Sequence, residues 1–213
     1  MEFRPDKNKQ QKLDSWSDYF EKTKNKPPRP LLIKALPYIQ EKVEALDIGS
    51  GALNDSVYLL SEGFQHVTAV DKEPIAQTIA EILPKEKFDY IISSIEHLDL
   101  QPEHYDLVNA QLSLPFVPSI AFKQVLEKII LSLKSGGIFT GQFFGDRDGW
   151  NYNEDMTFLT VEEARGMLSE LNLISFEEIV GPNVTAAGNT KQWHIFDFIA
   201  KKEVQTSYHI PRN

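Results

Sequence analysis

Cysteine is absent from all 213 residues of the sequence. That absence excludes disulfides, thiolate metal sites, cysteine nucleophiles and cysteine-ligated iron–sulfur clusters, and with the last of these radical chemistry on a cluster. Long apolar runs are missing too. No stretch approaches the roughly 20 residues needed to cross a bilayer, and the first fifteen residues are charged where a signal peptide needs an apolar segment. No membrane association is expected, and the expected location is cytoplasmic. Arginine is scarce, at five residues, and the formal net charge is -9. Such a chain repels the phosphate backbone unless its basic residues cluster. Lys7, Lys9 and Lys12 do cluster, but in a polar stretch that reads as a tail, so nucleic acid is not an expected partner. The five histidines, His66, His97, His104, His194 and His209, lack ligand spacing such as His-x-x-x-His. No metal is implied.

What remains is an ordinary globular composition, 41% hydrophobic and 25% charged, which excludes a disordered or fibrous chain. Its length suits one domain, expected over residues 15–203 between flexible tails 1–14 and 204–213. Ser15 opens a short helix with Trp16, Tyr19 and Phe20 at helical spacing, and Pro27, Pro28 and Pro30 break it. A second helix starts at Pro30 and is limited or kinked at Pro37. Residues 15–42 thus form an N-terminal helical region that can act as a lid, although an aromatic stripe of this kind more often simply packs.

From residue 43 short apolar runs alternate with amphipathic segments. Strands are expected at 43–48, 66–70, 88–93, 105–111 and 138–144, and helices at 54–62, 74–83 and 118–133, the last ending near Ser135-Gly136-Gly137. Strands joined by helices need right-handed crossovers and a largely parallel sheet covered on both faces. The last third departs from this rhythm. Thr160 and Glu163 form a capping box for a helix to about 171, and strands at 173–180 and 192–200 follow with no helix between them. Joined by a loop of about eleven residues, they should pair as a hairpin. The expected fold is α/β, a doubly wound, mostly parallel, seven-stranded sheet of Rossmann-like type with a C-terminal antiparallel hairpin.

Candidate site residues stand at strand ends. Leu46-Asp47-Ile48-Gly49-Ser50-Gly51 closes a buried strand in a turn where glycine permits positive φ and close approach of a ligand. About twenty residues on, Asp71 ends the second strand, where a carboxylate can accept both hydroxyl hydrogens of an adenosine ribose. Each feature also has a plain structural reading, Gly49 to Gly51 as a tight turn and Asp71 as a helix cap. Arg29, just before the first strand, can pair bidentately with a carboxylate or sit solvated at the surface. The segment Gly145 to Asn151 follows the fifth strand, where acceptor-binding groups can lie; a polar surface loop reads equally well.

These segments resemble the class I S-adenosylmethionine-dependent methyltransferases. Leu46 to Gly51 matches the first motif of that family, Val70-Asp71 the acidic end of its second strand, Tyr105 to Gln111 its fourth strand, and Leu133 to Phe139 the approach to its fifth. Asn54 to Leu59 is similar to small bacterial methyltransferases of the tellurite-resistance type. The departure is Leu53, standing where the family pattern has a third glycine. The resemblance implies S-adenosylmethionine as cofactor, with Asp47, Gly49, Ser50 and Gly51 at its methionine end, mainly through backbone groups and ordered water. It also places Asp71, flanked by Lys72, at the ribose; Ser94, Ile95 and Glu96 at the adenine; and Gln111 beneath the sulfonium. Arg29 is the added candidate for the methionine carboxylate.

The implied reaction is in-line methyl transfer to a small-molecule or metalloid acceptor, with no general base assigned. A nicotinamide-dependent oxidoreductase is the alternative enzyme, though its Gly-x-Gly-x-x-Gly fingerprint would need glycine at Asn54. A non-catalytic S-adenosylmethionine-binding module is the third reading, since fold alone does not establish turnover. The acceptor's identity and the oligomeric state stay open.

Overall fold

A computed structural model describes residues 16–186 and 188–203. The expected tails, the lysine cluster and His209 lie outside the described residues. The element order is α1 (Trp16–Thr23), α2 (Pro30–Ala35), β1 (Glu44–Ile48), α3 (Asn54–Ser61), β2 (His66–Asp71), α4 (Gln77–Ala80) and β3 (Phe88–Ile92). Then come β4 (Tyr105–Ala110), α5 (Ser119–Ser132), β5 (Leu133–Gly145), β6 (Phe158–Leu159), α6 (Val161–Met167), β7 (Asn172–Val184) and β8 (Thr190–Lys201). Seven strands pair in the order β3-β2-β1-β4-β5-β8-β7, with the two-residue β6 added alongside β5. The first five are mutually parallel, and β8 runs antiparallel to both β5 and β7. This is the doubly wound sheet with its terminal hairpin.

Alternation along the buried strands divides the core into two layers. Leu46, Ile48, Val108 and Ala110 join Phe122, Val125, Leu126 and Ile129 of α5 on one face. Ala45 and Leu107 join Leu31, Leu32 and Ala35 of α2 and Leu59 of α3 on the other. The strand order reverses between β1 and β4, so their carboxyl ends diverge and leave a crevice there. Among the described residues, no helix is long and apolar enough to cross a membrane.

Several boundaries differ from the sequence expectation, each for a physical reason. The helix expected over 74–83 is broken into a 3₁₀ turn at Pro74–Ala76 and a single α-turn, α4. Ile75, Thr78, Ile79 and Ile82 are β-branched, and Pro84 disfavours helix at the residue before it. Strand β5 begins at Leu133 rather than 138, because the glycines there form an irregularity in a continuous strand instead of a loop. A Cβ on Gly137 would lie 2.9 Å from the carbonyl oxygens of both Lys134 and Tyr105. Helix α6 carries the expected capping box but stops at Met167, just after Gly166. The hairpin is longer and its loop shorter than expected: β7 runs on through Pro182, which pairs with Gln192. An outermost strand tolerates proline, because one side of its backbone needs no partner.

Candidate functional site

The glycine turn is held to the tip of β2. Gly49 and Ser50 both donate their backbone N–H to the carbonyl of Val70, at 2.8 and 3.0 Å, and Gly51 donates to Asp71 Oδ2 at 2.8 Å. Gly49 and Gly51 have φ of 68° and 51°, and a Cβ on Gly49 would fall 2.3 Å from Ser113 Cβ. Glycine is thus required at 49 by both backbone and space. Three N–H groups of the turn are consumed internally. The backbone contribution expected of this segment is therefore left to its carbonyls and to the Ser50 hydroxyl.

Leu53, at the third-glycine position, keeps the left-handed conformation with φ 62° while its side chain is fully buried. The turn follows the glycine path despite a branched side chain, with the strain offset by burial against the α2–α3 layer.

Below the turn lies a buried acid pair. Asp47 accepts from Ser56 Oγ at 2.5 Å and from Asn109 Nδ2 at 2.8 Å, and Asn109 reaches Asp55 Oδ2 at 3.2 Å. Burial first, and the neighbouring Asp55 carboxylate second, push the Asp47 carboxyl up to about 7. Asp55 also accepts the backbone N–H of Arg29 at 2.8 Å, with Arg29 Nε 3.9 Å from its other oxygen. Arg29 Nη2 in turn donates to the Tyr19 hydroxyl at 3.0 Å, and Asn54 Nδ2 donates to the Thr23 carbonyl at 2.8 Å. These bonds fasten helix α1 over the start of α3.

All eleven residues singled out in the sequence line one cavity of about 460 Å³: Arg29, Asp47, Gly49, Ser50, Gly51, Asp71, Lys72, Ser94, Ile95, Glu96 and Gln111. That volume lies in the range of small-molecule sites. Asp71 uses both carboxylate oxygens locally, Oδ2 for Gly51 and Oδ1 for the Glu73 N–H at 2.9 Å, and each keeps a further lone pair. Lys72 does not pair with Asp71; its ammonium lies 4.9 Å from the Trp16 ring centre. Ser94 precedes a 3₁₀ turn, Ile95–His97, and its hydroxyl meets His97 Nδ1 at 2.9 Å. Gln111 is buried, with Nε2 donating to Asn109 Oδ1 at 2.9 Å. Its Oε1, with the hydroxyls of Ser50 and Ser113, has no hydrogen-bond partner within the protein. Three unpaired buried polar atoms in one cavity wall suit a polar ligand.

Most of the other wall was missed in the sequence. Trp16, Phe116, Phe144, Trp150 and Trp193 line it, and residues at the β7–β8 tip, including Thr185 and Asn189, border it. Asp148 organises this end. Its Oδ1 accepts the Trp150 N–H at 2.9 Å and lies 2.7 Å from Lys191 Nζ, and its Oδ2 accepts the His194 N–H at 3.1 Å. Lys191 sits over Trp150, Trp193 and Phe144 at 3.6, 3.7 and 4.4 Å from their ring centres. Burial pulls its ammonium down to about 8 against the opposing pull of Asp148. Gly145 leaves room for the His194 ring, since a Cβ there would lie 2.0 Å from Nδ1. The sequence signals for this wall were Trp16, in the aromatic stripe read as a lid, and the Gly145 to Asn151 segment that contains Trp150.

Residues 46–140 match the sequence family described as a methyltransferase domain. No curated protein matches the sequence. Many solved structures share the fold, among them the following three. TehB from Haemophilus influenzae has a TM-score of 0.71 at 19% identity, covering 88% of this chain and 67% of its own. The 1,6-didemethyltoxoflavin-N1-methyltransferase of Burkholderia thailandensis, solved with 1,6-didemethyltoxoflavin and S-adenosylhomocysteine, gives 0.64 at 21%, covering 89% and 81%. An S-adenosylmethionine-dependent methyltransferase from Methanosarcina mazei gives 0.63 at 20%, covering 84% and 100%.

Proposed function

We propose that the chain, whose residues 46–140 match a methyltransferase-domain family, is a class I S-adenosylmethionine-dependent methyltransferase, an enzyme transferring a methyl group from S-adenosylmethionine to a small acceptor. The observation that carries the reading is the junction of Gly49–Gly51 with Asp71, locked at 2.8 Å across the ends of adjacent strands and facing one cavity with the unpaired Ser50 Oγ and Gln111 Oε1. When bound, S-adenosylmethionine would supply an electrophilic methyl group to an acceptor lone pair and leave as S-adenosylhomocysteine.

The chain's own residues bind, orient and exclude water. Asp71 has lone pairs free to accept the ribose hydroxyls. Ser94, Ile95 and Glu96, just after β3, would flank the adenine, with Lys72 at the rim. Asp47, Gly49, Ser50 and Gly51 would hold the methionine end, and Gln111 would stand beneath the sulfonium. Arg29 is assigned to the methionine carboxylate, with its charge shared by Asp55. Residues 15–42 act as a lid on a single domain spanning 15–203, and Trp16, Tyr19 and Phe20 turn toward the cavity. No side chain is assigned as general base, because alignment of the nucleophile and exclusion of water suffice for such a displacement. The expected setting is the cytoplasm, with no nucleic acid partner.

A thermal-shift panel tests this reading. S-adenosylmethionine and S-adenosylhomocysteine should raise the melting temperature while NAD does not, because a ligand that binds only the native state stabilises it by mass action. A shift with NAD alone would favour the oxidoreductase. A shift with S-adenosylmethionine but no formation of S-adenosylhomocysteine with any acceptor would favour a binding module.

A further inference from the structure

All three tryptophans of the chain, Trp16, Trp150 and Trp193, come from distant segments and line the same cavity. Phe116 joins them, its ring centre 5.4 Å from Trp16 and 6.5 Å from Trp150, and Trp150 and Trp193 are 5.7 Å apart. Such concentration of rings is more than packing requires, because these residues are only half buried and border open space. Ser113 stands between this wall and the glycine turn, three residues before Phe116 and against Gly49. Its hydroxyl is buried without a partner and is not used by the cofactor assignment.

Charge narrows the occupant. The rings of Trp150 and Trp193 already hold the ammonium of Lys191 within 3.7 Å, so a cationic ligand on the same rings would meet a resident like charge. That ammonium is matched by Asp148 at 2.7 Å, so Lys191 offers an oxyanion no uncompensated charge beside Trp150 and Trp193. Resting on the methyltransferase reading, we propose that the aromatic chamber of Trp16, Phe116, Trp150 and Trp193 binds the methyl acceptor, and that the acceptor is a neutral, planar aromatic carrying a hydroxyl or amine within reach of Ser113 Oγ. The rings stack the acceptor plane, and Ser113 exchanges a hydrogen bond with its heteroatom.

The test uses full-length protein saturated with S-adenosylhomocysteine and follows binding by calorimetry and by tryptophan fluorescence, which reports only from this cavity wall. The probes are 2-naphthol as neutral planar acceptor, choline as cation, and selenite as metalloid oxyanion. Binding and quenching by 2-naphthol alone are expected, weakened about tenfold in Trp193→Ala and less in Trp193→Phe, which keeps a ring. S-adenosylhomocysteine affinity should be unchanged in both variants, which also shows that they fold. Selenite or choline binding in place of 2-naphthol, or 2-naphthol binding indifferent to Trp193→Ala, would overturn the proposal. Failure of S-adenosylhomocysteine itself to bind would sink the cofactor reading and this proposal with it. Cofactor binding without 2-naphthol binding would overturn the acceptor proposal alone.

Discussion

Asp71 Oδ2 accepts the backbone N–H of Gly51 at 2.8 Å, so the acid at the tip of β2 braces the glycine turn at the tip of β1. Its Oδ1 is likewise taken by the Glu73 N–H at 2.9 Å. Asparagine offers one oxygen to these two donors and turns its amide hydrogens toward the other, while alanine lets water in at a half-buried site. Asp71→Asn is therefore expected to be no milder than Asp71→Ala, each costing about 1–3 kcal/mol. In a chain of this size that is a fall of about 2–12 °C in melting temperature. Calorimetric melting of the two variants checks the order.

Leu53 pits backbone against burial. Relief of its left-handed φ of 62° is worth about 1–2 kcal/mol, whereas removing a fully buried leucine costs about 2–5 kcal/mol. Leu53→Gly should thus lower the denaturant midpoint although it restores the family's third glycine. A higher midpoint would show that strain dominates.

Asp47 makes stability fall with rising pH. Its carboxyl is raised from 3.8 to about 7 in the folded protein, so between about pH 4 and 7 the native state holds a proton that the unfolded state has released. The penalty grows across that window and is complete above it. Asp47→Asn removes the penalty, so the stability of the variant relative to wild type should climb between pH 4 and 7, by a few kcal/mol on the order of the shift. A flat difference would place the ionised form in the native protein throughout.

Lys191 has the opposite slope. Its ammonium is lowered from 10.5 to about 8, so the unfolded chain binds the extra proton between about pH 8 and 10.5. Stability gains up to about 3 kcal/mol as pH rises through that window. Lys191→Met abolishes this gain. At pH 7 it also strands the buried Asp148 carboxylate, which costs about 3–5 kcal/mol, and Asp148→Asn in the same chain should recover part of the loss. Denaturant titrations of the single and double variants at pH 7 and 10 measure both effects.

The parallel half of the sheet was legible because its strands are buried on both faces and read as continuous apolar runs, such as Ala45 to Ile48 and Leu107 to Ala110. The glycine turn and Asp71 were legible because their chemistry sits at fixed offsets from those runs. Residues 74–83 misled, since an amphipathic spacing says nothing about whether β-branched residues will sustain a helix. The aromatic wall was legible only at Trp16 and in the Gly145 to Asn151 segment. Lys191, Trp193 and Trp150 meet only because Pro182 pairs with Gln192, extending the hairpin, and because Gly149 donates to the Gln192 carbonyl at 2.8 Å. Neither contact has a local signature, and a proline in a strand argued against the extension.

The central claim, that the Gly51–Asp71 junction binds the adenosine of S-adenosylmethionine, is tested most directly by calorimetric titration of wild type and Asp71→Ala with S-adenosylhomocysteine. Each charge-assisted hydrogen bond to a ribose hydroxyl contributes about 1.5–3 kcal/mol, so the account predicts binding to wild type and a loss of about 10- to 1000-fold in the variant. Equal affinity for wild type and a folded Asp71→Ala protein would contradict it.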